Sequence, residues 1–467
     1  MSNKTVPIGE LVEEFSVRAK SIADYSSFEF YGVSNEAGIT KSKYAVESKA
    51  EEYKIIEKGC FAYNPYRINV GSIAYFDKDE RGFISPAYIV FKTKQESIIP
   101  ELLLKFLKST EGLRQIKLHA RGTVRQALRF EDLCRIKITI PSYDEQINLY
   151  KKVTAVEKET IALNKEINNQ FNIVSKLRKA FLREAMQGKL TESWRKAIFE
   201  SHPELVEGST NSVTLSDGTI YEPASELLKK IKAEKSKLIA EGKLKKDKVI
   251  PLEIKKDEIP FQIPDSWIWC RLGELFWVTK LAGFEYTEHV QLKTVGEIPV
   301  VRAQNVKPNE LIEDNLLYID KKTSLLLNRC ALVKKSLLIT FIGAGIGDVA
   351  IFDKKERWHL APNVAKAEPL IESLSLEYIM WFLLSNFGKD EFFKISKATA
   401  QPSLSMGTIR KVCIPLPPLA EQLRIVSKLN ELMQFCDQLE QNINTAKEQT
   451  NLLLQTVLRE ALEPNEN

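Results

Sequence analysis

The stretch Ile414-Pro415-Leu416-Pro417-Pro418-Leu419-Ala420-Glu421-Gln422 opens the last segment of the chain, which runs on to Leu458-Arg459-Glu460-Ala461-Leu462. It is a second copy. Moving back 276 positions, the distance from Gln422 to Gln146, lays Pro417, Glu421 and Gln422 on Pro141, Glu145 and Gln146. The same step lays Leu458-Arg459-Glu460-Ala461 on Leu182-Arg183-Glu184-Ala185. An internal duplication sets the architecture, so the repeat is read before any local pattern.

Working outward, the register holds without a gap from about Gly71. Gly347, Ala350, Phe352, Asp353, Glu356, Arg357 and Pro362 repeat Gly71, Ala74, Phe76, Asp77, Glu80, Arg81 and Pro86. Glu377, Phe382, Leu383, Ser385 and Gly388 repeat Glu101, Phe106, Leu107, Ser109 and Gly112, and Thr399 and Leu404 repeat Thr123 and Leu128. Near the start of each copy, Leu272-Gly273-Glu274-Leu275 echoes Ile8-Gly9-Glu10-Leu11. Two globular domains of one fold are expected. The basic loop Ala120-Arg121-Gly122-Thr123-Val124-Arg125-Gln126 faces a different counterpart, Lys397-Ala398-Thr399-Ala400-Gln401-Pro402.

Residues 1–143 read as mixed α/β, with strand-like runs at 54–63, 71–76, 87–91 and 136–140. Pro100-Glu101-Leu102-Leu103-Leu104-Lys105-Phe106-Leu107 opens a helix with Pro in its first turn. At Ser142 and Glu145 the S-x-x-E spacing announces a helix start. From Asp144 to Gln187 there is no Pro or Gly, so one helix of about 65 Å is possible at ~1.5 Å per residue. Its apolar positions (Ile147, Tyr150, Val153, Val156, Leu163, Ile167, Phe171, Val174, Leu177, Phe181) make a stripe that needs a partner helix. The second helix, Ala420 to Leu462, carries Leu432, Leu439, Ile443, Leu453 and Val457. The simplest pairing is of these two helices with each other, antiparallel, as a coiled coil between two similar domains related by a pseudo-twofold axis.

The expected division is a first domain at 1–143, a long helix at 144–190, a charged linker and helical arm at 191–265, a second domain at 266–413 and a second long helix at 414–467. The arm carries Lys229, Lys230, Lys232, Lys235 and Lys237. It is either a solvated helix or an arm that contacts phosphate or a partner.

Composition bounds the function. Hydrophobic residues are 44% and charged residues 28%, as in soluble globular proteins, and 67 Lys+Arg against 62 Asp+Glu give a net charge of only +5. Any basic face must be local. No apolar run reaches the ~18 residues of a membrane span, which points to the cytoplasm. The six cysteines form no C-x-x-C pair and the four histidines are isolated. Neither a disulfide framework nor a metal site is expected.

The chain resembles the specificity (S) subunit of a type I restriction-modification enzyme. The resemblance rests on the 414–422 string, Ala400-Gln401-Pro402-Ser403-Leu404, Gly188-Lys189-Leu190-Thr191-Glu192-Ser193-Trp194-Arg195 and Pro264-Asp265-Ser266-Trp267-Ile268-Trp269. The first copy departs at Ser142-Tyr143-Asp144 and lacks a Trp-containing approach to Ile8. The resemblance implies a non-catalytic subunit with two target-recognition domains, each reading one half of a bipartite double-stranded DNA site. The helices would set the spacing and dock two methyltransferase subunits, which would carry the S-adenosylmethionine. A restriction/translocase subunit would be a further partner.

Two motifs invite another reading. Phe341-Ile342-Gly343-Ala344-Gly345-Ile346-Gly347-Asp348 has the glycine spacing of a nucleotide or S-adenosylmethionine loop, and so suggests a self-contained DNA methyltransferase. Such a loop should feed a helix, yet a β-like run, Val349-Ala350-Ile351-Phe352, follows. Tyr63-Asn64-Pro65-Tyr66 is close to the Asn-Pro-Pro-Tyr motif that grips a flipped adenine but lacks one Pro, and reads as a DNA-facing or structural turn. Base readers should be long donors on loops beside aromatics, Arg for guanine and Asn for adenine. The candidates are Tyr63, Asn64, Tyr66, Arg67, Arg121 and Arg125 in the first domain, and Arg302, Gln304, Asn305, Lys397, Thr399 and Gln401 in the second. A purely structural coiled-coil scaffold is the third reading.

Overall fold

The structure is a computed structural model that describes residues 4–22, 28–35, 37–42, 51–122, 126–205, 211–244, 253–343, 345–394 and 404–462. Its contacts divide into two compact units, Met1–Gln170 with Asn442–Asn467, and Phe171–Gln441.

In the first unit the strands are β1 (Lys4–Pro7), β2 (Val12–Glu14), β3 (Glu29–Ser34), β4 (Gly38–Lys41), β5 (Lys54–Glu57), β6 (Cys60–Tyr63), β7 (Ile73–Tyr75), β8 (Arg81–Ile84), β9 (Ile89–Thr93) and β10 (Lys137–Ile140). The helices are α1 (Ile8–Leu11), α2 (Pro100–Lys108), α3 (Thr110–His119), α4 (Phe130–Leu133) and the first part of α5 (Tyr143–Met186). One sheet has the order β2-β9-β6-β7 and another β4-β3-β8-β5, in which β3 and β8 are parallel. The β6 strand is buried on both faces. Phe61 and Tyr63 pack with Phe91, Leu103 and Phe106, while Cys60 and Ala62 pack with Tyr31, Phe76 and Ile84. A strand with no solvent face reads as an unbroken apolar run, which is why Cys60-Phe61-Ala62-Tyr63 shows no alternation.

The second unit begins with the rest of α5 and a connector built of α6 (Glu192–Ser201), β11 (Val213–Thr214), β12 (Ile220–Tyr221) and α7 (Ala224–Ala240). Then come β13 (Ile268–Arg271), α8 (Leu272–Leu275), β14 (Phe276–Lys280), α9 (Gly283–His289), β15 (Ile298–Val301), β16 (Val306–Lys307), β17 (Glu310–Leu311) and β18 (Leu317–Ile319). After α10 (Lys321–Leu326) follow β19 (Ala331–Leu332), β20 (Ser336–Thr340), β21 (Val349–Phe352), β22 (Trp358–Leu360) and β23 (Val364–Pro369). The unit closes with α11 (Leu376–Leu384), α12 (Asn386–Lys394), α13 (Met406–Lys411), β24 (Cys413–Leu416) and α14 (Leu419–Leu462).

The sheets repeat as β14-β23-β20-β21 and β18-β15-β22-β19. From β5 onward strand register repeats at the same 276-residue offset: Ile55 faces Phe83 and Ala331 faces His359, and Ala62 faces Val90 and Leu338 faces Lys366. The offset therefore reaches back to β5, beyond Gly71. The second copy differs by the β16–β17 hairpin, inserted where the first has the short β3–β4 turn.

The junction between the two middle helices of each domain shows why particular residues recur. Ser109 Oγ accepts from the Gly112 amide at 3.1 Å, and Ser385 Oγ from the Gly388 amide at 3.3 Å. A Cβ on Gly112 would lie 2.0 Å from the Phe106 carbonyl oxygen, and one on Gly388 2.3 Å from that of Phe382. The cap and the close approach together fix Ser-x-x-Gly in both copies.

In the second unit the long helices run antiparallel. Ala185 and Met186 share a core with Ile425, Leu429 and Met433, and Arg178, about two turns earlier, reaches Asp437 at 2.7 Å and Glu440 at 3.1 Å. The stripe read from the sequence needs correction: Val153, Ile167, Val174, Met433, Cys436 and Ile443 are buried, whereas Leu163 and Leu453 are about half exposed. Those two recur between the copies without being core. The lysines of α7 are all engaged: Lys229, Lys230, Lys232 and Lys237 with Glu226, Glu222, Glu274 and Glu234, and Lys235 donating to the Gly273 carbonyl. Each of these lysines thus has a partner within the chain. Among the described residues no helix is long and apolar enough to cross a membrane.

Candidate nucleic-acid interface

Each domain brings two loops together, one after its central strand and one before its small helix. In the first domain the loop after β6 begins with an Asx turn: Asn64 Oδ1 accepts from the Tyr66 amide at 3.0 Å, and the Asn64 carbonyl from the Arg67 amide at 3.0 Å. Ile68 is buried and anchors the turn, leaving Tyr66 59% exposed and Arg67 exposed. The loop before α4 is closed at its base by two backbone bonds between Arg121 and Ala127, of 3.0 and 2.8 Å, with Gly122 at φ +121°. The Leu128 amide then donates to the Pro65 carbonyl at 3.0 Å and locks the two loops side by side.

The second domain repeats the lock. The Leu404 amide donates to the Phe341 carbonyl at 3.1 Å, at positions 276 residues on from Leu128 and Pro65. Its first loop is the glycine-rich stretch, which turns directly from β20 into β21. Gly347 donates to the Thr340 carbonyl and Thr340 to that of Asp348, both at 3.0 Å, with Gly343 at φ +107° and Gly347 at φ +86°. A loop that enters a strand presents no helix N-terminus to a phosphate, so the cofactor-loop geometry is not built here. Asp348 is half-buried in this turn. Burial pushes its carboxyl above the usual carboxylate range, against the pull of Lys389 and Lys307.

These placements sort the sequence candidates. Asn64, Tyr66, Arg67 and Arg121 lie on the paired loops of the first domain. Tyr63 does not reach the surface: it is fully buried in β6 and donates to the Leu128 carbonyl at 3.3 Å, and burial holds its phenol far above the ordinary value. It supports the loops from beneath. Asn305 is likewise buried. Its Oδ1 accepts from the Arg302 amide at 3.1 Å and its Nδ2 donates to the Ile312 and Asp314 carbonyls at 3.0 and 3.1 Å, so its whole side chain is spent on the loop. Arg302 is half-buried and donates to the Asn315 carbonyl, while Gln304 is exposed. Arg125, Lys397, Thr399 and Gln401 lie outside the described residues.

The structure adds residues that the sequence reading passed over. Asn35, in the β3–β4 turn, donates to the Val70 carbonyl at 2.8 Å and so joins that turn to the first loop. In the second domain Lys307 and Asn309 lie at the tip of the β16–β17 hairpin. Asn309 has φ +64° and its amide donates to the Val349 carbonyl at 2.9 Å, beside the glycine-rich turn. The signal was present in Lys307-Pro308-Asn309-Glu310 and Ser34-Asn35-Glu36-Ala37-Gly38, both turn sequences.

A cavity of about 800 Å³ lies in the connector, between α6, Tyr221 and the segment Pro264–Ser266. Close by, the strings Gly188–Arg195, Pro264–Trp269 and Ile414–Gln422 converge on one carboxylate. Glu421 is fully buried and accepts from Thr191 Oγ1 at 2.6 Å, from Trp267 Nε1 at 2.8 Å and from the Arg195 guanidinium. Burial raises its carboxyl above the ordinary range against the opposing pull of Arg195 and the two hydrogen bonds. Among the described residues no group of His, Cys, Asp and Glu is arranged to hold a metal.

Comparison with known proteins agrees with this plan. The profile of the type I restriction modification DNA specificity domain matches twice, at residues 3–172 and 264–449. The type I restriction enzyme EcoAI specificity subunit of Escherichia coli is 33% identical over 252 residues, 51% of this chain and 40% of the relative. The aligned part is thus under half of that relative's length. A chain from a solved structure of the type I R-M system superposes with a TM-score of 0.60 at 16% identity, covering 98% of this chain and 97% of its own. The HsdS subunit from Thermoanaerobacter tengcongensis gives 0.54 at 16% identity, covering 98% and 96%. With two profile matches that together span most of its length, the chain belongs to the family of type I restriction modification DNA specificity domains.

Proposed function

We propose that this chain is the DNA sequence-specificity subunit of a type I restriction-modification enzyme and has no catalytic centre of its own. Each domain reads one half of a bipartite double-stranded site, and the two long helices fix the distance between the halves. Two methyltransferase subunits, which bind the S-adenosylmethionine, dock on the helical repeats, and a restriction/translocase subunit completes the nuclease in the cytoplasm. The observation that carries this reading is the repeated loop lock, Leu128 to Pro65 and Leu404 to Phe341, holding the same frame with different side chains around it. One frame with two sets of side chains is what reading two different half-sites requires, since base edges and not phosphates specify sequence. Exposed apolar residues on the long helices, among them Leu163, Phe435, Leu452 and Leu453, support a docking role for those helices.

The test is to express the chain with its methyltransferase and map methylated DNA. Exchange of residues 1–143 for the corresponding domain of a relative should change one half-site and leave the other. If both halves stay as they were, the reading is wrong. Equilibrium dialysis of the isolated chain against S-adenosylmethionine separates this reading from the self-contained methyltransferase, which alone requires binding.

A further inference from the structure

Asp132 lies in α4 with only 2% of its surface exposed. Its Oδ1 is 2.7 Å from an Arg121 guanidinium nitrogen and 3.7 Å from one of Arg135, and its Oδ2 is buried without a hydrogen-bond partner. The Arg121 side chain is nevertheless 61% exposed. As a stability device this is a poor arrangement. An ion pair with one partner in solvent contributes little, and withdrawing a carboxylate from water costs more than that. As an orientation device it is effective. The Arg121 backbone is already fixed by its two bonds to Ala127, and the loop by Leu128 on Pro65. Asp132 then limits the remaining freedom, that of the long side chain, which would otherwise be lost on binding.

We propose that Asp132 is a positioning residue that presets the Arg121 guanidinium to read a guanine in the half-site of the first domain. This inference rests on the DNA-reading role proposed above and deepens it to one residue pair. An arginine fork meets the O6 and N7 of guanine in the major groove, and a fork held in advance pays less ordering entropy on contact. Among the described residues the device lies in the first domain. The position equivalent to Asp132 is Thr408, whose hydroxyl and amide are engaged with Ser405 at 2.8 and 3.0 Å. The second half-site is therefore an internal control.

The experiment uses the full chain in complex with its methyltransferase and measures methylation across a library of single-base variants of both half-sites. Arg121→Ala should abolish the preference at one position of the first half-site. Asp132→Asn, of the same shape, should weaken that preference on the order of tenfold without changing any position of the second. Asp132→Glu should restore part of it, and Arg135→Ala should leave it intact. A merely structural Asp132 would lower the yield or affinity of the complex uniformly and move no base preference. If Arg121→Ala changes the preference and Asp132→Asn does not, the positioning role is overturned while the DNA-reading role stands. If neither changes it, Arg121 is no reader and the inference falls, whereas the domain exchange decides the broader function independently. Should Asp132→Asn fail to assemble, Asp132→Glu, which keeps the charge and shifts it by one methylene, takes its place. A weakened preference at that position alone supports the proposal, and an unchanged preference refutes it.

Discussion

Glu145 and Glu421 occupy one position in two copies of the same segment, and they do opposite things. Glu145 is half-buried; its carboxylate accepts from the Ser142 amide at 3.1 Å and from the Ser142 hydroxyl at 2.8 Å, a cap on the start of α5. Glu421 is fully buried at the start of α14 and binds Thr191, Arg195 and Trp267. In the second copy the connector and Trp267 cover the carboxylate, whereas in the first copy the carboxylate turns back to Ser142. Duplication preserved the frame, and what each copy is joined to decided the use of the residue.

That contrast can be broken most forcefully at Glu421. Glu421→Ala leaves Arg195 and Trp267 without their partner and should cost about 3–5 kcal/mol, the usual penalty for orphaning half of a buried pair. Glu145→Ala should cost no more than the ~1 kcal/mol of a lost cap. Denaturant unfolding of both variants decides it, and equal losses would refute the assigned difference. Where the copies are alike, the effects should match: Gly112→Ala and Gly388→Ala each push a Cβ into a carbonyl oxygen and should cost about 1–3 kcal/mol. A loss in one domain only would show that the two helix junctions are not equivalent.

The smallest effect is one of pH. Burial raises the Glu421 carboxyl above its ordinary 4.5, so the folded state binds a proton that the unfolded chain has already released. Stability should accordingly fall as pH rises from about 4.5 through the folded value, and Glu421→Gln should flatten that part of the curve. Melting temperature against pH for the two proteins checks this. An identical slope would mean that another group carries it.

Much of the fold could be read from residues alone because the repeat is gapless from β5 onward. A constant offset in sequence became a constant offset in register. Helix ends were legible too, since Ser142, Glu145 and Gly188 act through local geometry; Gly188 sits at φ +72° with Pro264 where a side chain would go. The candidate interface was less legible. Tyr63 and Asn305 have the residue types of base readers, but burial is a property of what packs on them, and local spacing does not encode it. Asp132 gave no signal either: an acid in the first turn of a short helix is ordinary, and only the fold brings Arg121 to it.

The chain enters each domain on β1 or β13 and leaves it on β10 or β24, and these strands are antiparallel neighbours, with Lys4 opposite Ile140 and Ile268 opposite Leu416. Paired strands lie about 4.8 Å apart, so both ends of each domain meet at a single point. A domain attached in this way is a cassette. Its interior can grow, as with the β16–β17 hairpin, while the helix that follows starts from the same place.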